Sequence, residues 1–508
     1  MSEEWAPEYD GYAPAPSDDD LADHSPRCTD AANGEILATM GRDRLRWVHS
    51  WARWLVWDGR RWSQDGADVA ALGFAIRCMR EMHLRVSEEV AVLEKRFAAV
   101  ATSKEQAEDI QKRLVPLRAI VKHYVASQNK GRLDAALVCA RVSLGVNHVD
   151  LDQHPWTLNC PNGQLDLRTG ILSDPNPDDL LTQITNTEWD DSATCPIWDR
   201  FIAQIACGDT LLLLYLQRIM GMAIAGGVRE NVLVFFFGEG DNGKSTLFDT
   251  ILGVLGGGYS CMGARTLLVS NRAGSDTHPT EIADLYGKRF VTCEELSSGQ
   301  RLDEGKVKWL TGGADLKARR MNEDFWSFKP VHTIFMSGNS KPKIHDDTRG
   351  MWRRLKLVPW RFTVSNPDTQ LKEKLAGERA GILRWLVAGC VEWQRVGMSE
   401  PPVVVEATEE YRRDSDAFGQ FLSELAVVEP AGRIKKTALR EAYETWCRGS
   451  GREPLGDDRV TQRLKKLGCT AMTVRAGSTT GKGWAGIRLK TQQELYSEAE
   501  PEIVTDYS

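Results

Sequence analysis

The sequence predicts an α/β core of the phosphate-loop type, preceded by a mostly helical region with a small β-meander and followed by a winged helix. Three stretches carry the prediction. An apolar strand at 232–237 breaks into a glycine-rich loop, a helical repeat runs over 72–124, and a basic helix–helix–hairpin order fills 433–490.

The loop is the centre of the reading. It comprises Gly238, Glu239, Gly240, Asp241, Asn242, Gly243, Lys244, Ser245 and Thr246, the pattern G-x4-G-K-[ST] with a strand before it and a helix (245–255) after it. Glycines let backbone N–H groups turn inward around a polyphosphate, and the helix aims its positive end at the same anion. Lys244 is the candidate for neutralising the β- and γ-phosphates of ATP, and the Ser245 hydroxyl for binding Mg²⁺.

Composition bounds the rest. With 508 residues, 42% hydrophobic and 27% charged, the chain suits three or four soluble domains. No apolar stretch is long enough for a membrane span, and the acidic N-terminus is no secretory signal. The eleven cysteines form no C-x-x-C pair, which suggests reduced thiols in the cytoplasm, the host's if the protein is viral. The net charge of −7 hides an asymmetry. Residues 1–30 hold nine acids and one base and 491–508 five acids and no base, leaving +6 on residues 31–490. A mildly basic body permits a nucleic-acid partner without demanding one.

In chain order, residues 1–30 read as a disordered acidic tail. Trp47, Trp51, Trp54, Trp57 and Trp62 then crowd together, as a small aromatic core or a base-stacking surface. Leu72, Ile76, Met79, Val86, Val90, Leu93 and Phe97 follow steps of four and three, with His83 filling the one gap, and Leu114, Leu117, Val121 and Tyr124 repeat them. That predicts a long helical hairpin, either a bundle packed on itself or a collar joining subunits. After a helix near 133–144, residues 156–172 alternate and turn at Asn162-Gly163 and Thr169-Gly170, a β-meander. Helices at 198–205 and 211–222 lead into the loop strand.

Downstream, the strand 290–293 delivers Glu294 and Glu295. Triphosphate hydrolysis needs one acid for Mg²⁺ and another to polarise water; Glu294 takes the first role and Glu295 the second. A third strand (331–336) ends at Asn339, placed to orient the lytic water. In the segment 347–354, Arg353 or Arg354 is placed to reach a phosphate held by a neighbouring subunit.

These motifs together resemble the helicase half of the phage, plasmid and poxvirus primase-helicases of superfamily 3. The residues that carry the likeness are the loop at 238–246, Glu294-Glu295, T-G-G at 311–313, F-K-P at 328–330, S-G-N at 337–339 and G-x-W-R-R at 350–354. Upstream, W-L-V-W-D-G-x-x-W at 54–62 and N-G-x-x-D-L-R-T-G at 162–170 extend it. The resemblance implies an AAA+-like core, a hexameric ring and 3′→5′ translocation on single-stranded or forked DNA. It also implies a basic loop and hairpin in the ring channel, carrying Lys306, Lys308, Lys317, Arg319 and Arg320. One departure stands out: Ala314 follows T-G-G where the family has an acid, and Asp315 comes one later. No strand-borne acid pair with a histidine marks a priming site, so priming is expected to fall to a separate primase among other replication proteins.

Residues 433–490 hold fourteen bases and five acids, and their element order suits a winged helix with Arg459, Arg463, Lys465 and Lys466 on its second helix. DNA contacts at Arg463 and Lys466, or a protein-binding role, both fit. The predicted layout is an acidic tail (1–30), a helical and meander domain (31–190), an ATPase domain (191–365), a helical lid (366–415), the winged helix (416–490) and a second acidic tail (491–508). Two other functions use the same loop: a non-unwinding, origin-binding initiator ATPase, and a DNA-packaging or signalling ATPase.

Overall fold

The computed structural model describes residues 28–499 apart from 100–103, 229, 241, 265, 270–278, 294–299, 322, 345–347, 365 and 477–478. The chain divides into two compact units, residues 1–153 with 175–183, and residues 154–174 with 184–508.

In the first unit, α1 (Asp30–Gly41) precedes β1 (Leu45–Val48), β2 (Arg53–Trp57) and β3 (Trp62–Ser63). Then come α2 (Ala67–Ala99), α3 (Lys104–Ser127), α4 (Lys130–Leu144) and β4 (Gly145–Val146), with strand order β3-β2-β1-β4. Trp47, Trp51, Trp54 and Trp62 are buried, and Trp47 meets Trp54 edge-on at 5.2 Å. The tryptophan cluster is therefore core. The periodic stretch forms the expected hairpin: α2 is 33 residues, about 50 Å long, and packs on α3, with Met79 of α2 and Ile120 and Tyr124 of α3 in one buried core.

The second unit opens with the meander β5 (Thr157–Cys160), β6 (Gly163–Asp166) and β7 (Leu172–Ser173). Here the predicted boundary at 190 needs correction. Leu158, Cys160, Leu165 and Leu167 join the core of the second unit, and the Asn159 N–H donates to the Tyr259 hydroxyl at 3.1 Å.

Helices α5 (Pro196–Ile205) and α6 (Thr210–Ala223) lead to β8 (Leu233–Phe237), α7 (Lys244–Tyr259) and β9 (Ser260–Gly263). Next come α8 (Pro279–Ala283), β10 (Phe290–Cys293), α9 (Glu304–Leu310), β11 (Leu316–Ala318), β12 (Trp326–Phe328) and β13 (Thr333–Gly338). The unit continues with α10 (Arg349–Trp352), β14 (Leu355–Pro359), α11 (Leu371–Gly377), α12 (Arg379–Val396) and α13 (Pro402–Ser415). Five strands form one parallel sheet in the order β14-β8-β13-β10-β9.

Both faces of that sheet are covered, which is why its strands read as unbroken apolar runs. Alternate residues serve opposite cores: Val234 and Phe236 pack towards Trp198, Ile219, Ile251 and Leu386, while Leu233 and Phe235 pack towards Leu310, Trp352 and Tyr411. Helix α12 is part of the first of these cores, with Ile382, Leu383, Leu386 and Cys390 fully buried. The segment expected as a lid thus contributes a central core helix. Among the described residues no single helix is long and apolar enough to cross a membrane.

The chain ends with α14 (Ala417–Leu425), β15 (Ala426–Lys435), α15 (Lys436–Gly449), α16 (Asp457–Lys466), β16 (Thr470–Ala476), β17 (Thr479–Leu489) and α17 (Gln492–Ala499). The strands form an antiparallel sheet, β15-β17-β16, whose core is built on Phe418, Phe421, Tyr443 and Trp484. The acidic C-terminal stretch includes α17, whose Glu494 is held by Arg488 of β17 at 2.7 Å. That bond keeps the Glu494 carboxyl down at about 2.

Candidate functional site

A parallel sheet sends the C-terminal ends of its strands to one edge, where open α/β folds bind ligands. Here Phe237 of β8 is level with Gly338 of β13 on one side and with Pro359 of β14 on the other. The glycine-rich loop leaves β8 at that edge and enters α7 through Gly243, whose φ of +84° suits glycine. At the loop's other end, a Cβ on Gly238 would stand 2.2 Å from the Trp360 carbonyl oxygen. Both glycines are therefore required by the path of the chain.

Lys244 is 7% exposed, and its Nζ is held over the loop. It donates to the carbonyls of Gly238 (2.7 Å) and Glu239 (2.9 Å) and to Oδ1 of Asn242 (3.0 Å). A fourth bond, at 3.2 Å, goes to Oδ1 of Asn339, which stands just past β13. Two motifs lying 95 residues apart thus meet on one ammonium group. The Asn242 Nδ2 is buried without a hydrogen-bond partner, and Ser245 is exposed on the first turn of α7. A lysine, an unpaired amide donor and a helix N-terminus make a set suited to an anion.

Strand β10 ends at Cys293 on the same edge, paired with Met336 of β13. Glu294 and Glu295, the next two residues, and Asp241 in the loop lie outside the described residues.

The two candidate arginines differ. Trp352 is buried edge-on against Tyr411 at 5.4 Å and fixes the segment. Arg353 is exposed. Arg354 is drawn into its own chain, donating to the Thr311 Oγ1 (3.2 Å) and the Gly350 carbonyl (2.7 Å). Burial lowers the Arg354 guanidinium below its usual value, and the Arg353 charge adds to the effect. The T-G-G and W-R-R motifs are therefore bonded to each other through Thr311 and Arg354.

Of the basic candidates, Lys317 and Arg319 are exposed and both approach the Phe325 ring, at 4.9 and 4.7 Å from its centroid. Lys308 on α9 donates to the Thr348 hydroxyl at 3.3 Å. Lys466, at the end of α16, is exposed. Arg463 is placed differently from the expectation: it grips both carboxylate oxygens of Asp416, with its Nη2 2.6 Å from Oδ2, and lies over Phe418. Sequence reading also missed Trp360, whose indole N–H donates to the Asn242 carbonyl, and Tyr411, whose hydroxyl donates to the Pro342 carbonyl.

Comparison with known proteins adds names. Residues 34–207 match the family described as "D5 N terminal like", and residues 236–354 match a "Family of unknown function (DUF5906)". "Putative helicase L207/L206" of Acanthamoeba polyphaga mimivirus is 28% identical over 313 residues, 57% of this chain and 32% of that protein. "Putative helicase 022R" of Frog virus 3 is 27% identical over 55% of this chain and 30% of its own length. "Putative primase C962R" of African swine fever virus is 24% identical over 46% of this chain and 26% of its own. The chain thus spans about a third of the length of the curated relatives it matches. Among solved structures, the apo C-terminal region of NrS-1 covers 58% of this chain and 77% of its own, at 14% identity and a TM-score of 0.38, too distant to argue from. The chain carries a D5 N-terminal-like region and, over more than half its length, is a homologue of proteins named as helicases of large DNA viruses.

Proposed function

We propose that this chain is an ATP-dependent DNA helicase of superfamily 3 that works as a ring, with a hexamer as the expected assembly. The observation that carries the reading is the meeting of Lys244, Asn242 and Asn339 at the shared strand edge, on the glycine-rich loop that opens α7.

In this reading the loop and Lys244 hold the β- and γ-phosphates of ATP. Ser245 and Glu294 hold Mg²⁺, which when bound neutralises phosphate charge and fixes the phosphate geometry. Glu295 takes up the proton of the attacking water, and Asn339 orients that water. Arg353 stabilises the transferring phosphoryl group in the neighbouring subunit. Lys308, Lys317 and Arg319 grip the DNA backbone in the channel. The 416–490 region is a winged helix, with Arg459, Lys465 and Lys466 of α16 facing DNA and Arg463 holding the helix in place. Homologues named as helicases support the DNA-directed role, which for this chain is itself part of the proposal.

The test is strand displacement on a forked duplex with a 3′ tail. The purified chain is expected to unwind it in Mg-ATP, and Lys244→Ala to lose both unwinding and hydrolysis while keeping its fold. DNA-stimulated hydrolysis with no displacement would replace the motor with a non-unwinding initiator.

A further inference from the structure

Trp360 follows the last residue of β14 and is 4% exposed. It touches the phosphate loop at both ends. Its backbone N–H donates to the Phe237 carbonyl at 2.7 Å, and its own carbonyl fills the place a side chain on Gly238 would need. Its indole N–H crosses to the far end and donates to the Asn242 carbonyl at 2.5 Å. The ring itself is fixed edge-to-face against Phe236, 5.3 Å between centroids. One residue from another strand thus bridges the entry and the exit of the loop.

That bridge has a chemical consequence. A trans peptide is planar, with its C=O and N–H pointing in opposite directions. Holding the Asn242 carbonyl on the indole therefore points the Gly243 N–H away from it. This N–H opens α7, where backbone donors bind an anion. It also keeps Asn242 where its Oδ1 supports Lys244. We infer that Trp360 is a positioning residue that holds the phosphate loop in its binding shape before nucleotide arrives. The inference rests on the ATP-binding reading of the loop.

Trp360→Phe keeps an aromatic ring against Phe236 and removes only the donor. The loss of one neutral hydrogen bond from a preorganised loop is expected to raise the KM for Mg-ATP, and the Kd measured by calorimetry, about fivefold. The kcat at saturating ATP should stay within about twofold, because the groups that act on the reacting atoms are unchanged. Trp360→His, which restores a ring N–H, is measured beside it and should lie nearer wild type; Trp360→Met, which also lacks the donor, carries the test if the Phe variant does not fold. A brace with a purely structural role would lower the melting temperature and leave KM alone. Unchanged KM in a folded variant that lacks the donor, or a fall in kcat at constant KM, overturns the inference. Wild-type protein that binds no Mg-ATP overturns the phosphate-loop reading instead, and is recognised before any variant is made.

Discussion

Arg353→Ala is expected to lower ATP hydrolysis by about 10³-fold or more while nucleotide still binds, because an exposed arginine acting in a neighbour's site touches only the transition state. Arg354→Ala should read differently. It removes two hydrogen bonds inside its own chain, so the melting temperature should fall with a loss of about 1–2 kcal/mol. Differential scanning calorimetry and steady-state ATPase on the two variants separate the roles; identical profiles would remove the distinction drawn here. His332 supplies a second residue-level test. It is fully enclosed, donates to the Leu310 carbonyl, and burial lowers its pKa from 6.5 to about 4. The folded chain thus keeps it neutral while the unfolded chain protonates it near 6.5. Stability should fall as pH drops from about 6.5 towards 4, by up to about 3 kcal/mol, and His332→Asn should flatten that part of the profile. Urea unfolding at pH 7 and pH 5 measures the difference.

At the scale of elements, the hairpin of β11 and β12 offers the cleanest separation of motor from grip. Lys317→Ala with Arg319→Ala should leave basal hydrolysis intact and abolish its stimulation by single-stranded DNA, with a weaker salt dependence of binding. Unchanged stimulation would place the DNA elsewhere. Elements of this kind were legible in the sequence where their cause is local. The loop between β8 and α7 announces itself because glycines and a lysine stand there at fixed steps, and β8 because a strand covered on both faces reads as one apolar run. What stayed hidden depends on residues brought together from afar. Trp360 reaches Asn242 across 118 positions, and nothing around either residue signals the other. Arg463 looked like a DNA contact because its helix is basic. Its pairing with Asp416, 47 residues earlier, was not visible there. The meander was visible from its turns, but the core it joins is decided by Leu158 and Leu165 meeting the buried helices of the second unit.

At the scale of the molecule, the match to the D5 N-terminal-like family, 34–207, runs across the boundary between the two compact units. The second match, 236–354, runs from the glycine-rich loop to the arginine pair. The residues proposed for a site shared between neighbours fall within that second stretch, and a mixing experiment tests the proposal. Lys244→Ala and Arg353→Ala proteins, each inert alone, should regain measurable ATPase together wherever an intact loop faces an intact arginine. Free subunit exchange without recovery would exclude the shared site. Strand β14 gives such a ring a mechanical property. It begins directly after Arg354, ends directly before Trp360, and pairs with β8 residue for residue from Leu355–Leu233 to Pro359–Phe237. Five residues of strand span about 17 Å, and a one-position slip of the ladder would carry every core side chain to the opposite face of the sheet. In the proposed ring a displacement at the arginine end would be carried along this ladder to the loop end, so that β14 would act as a connecting rod between one subunit's engine and the next.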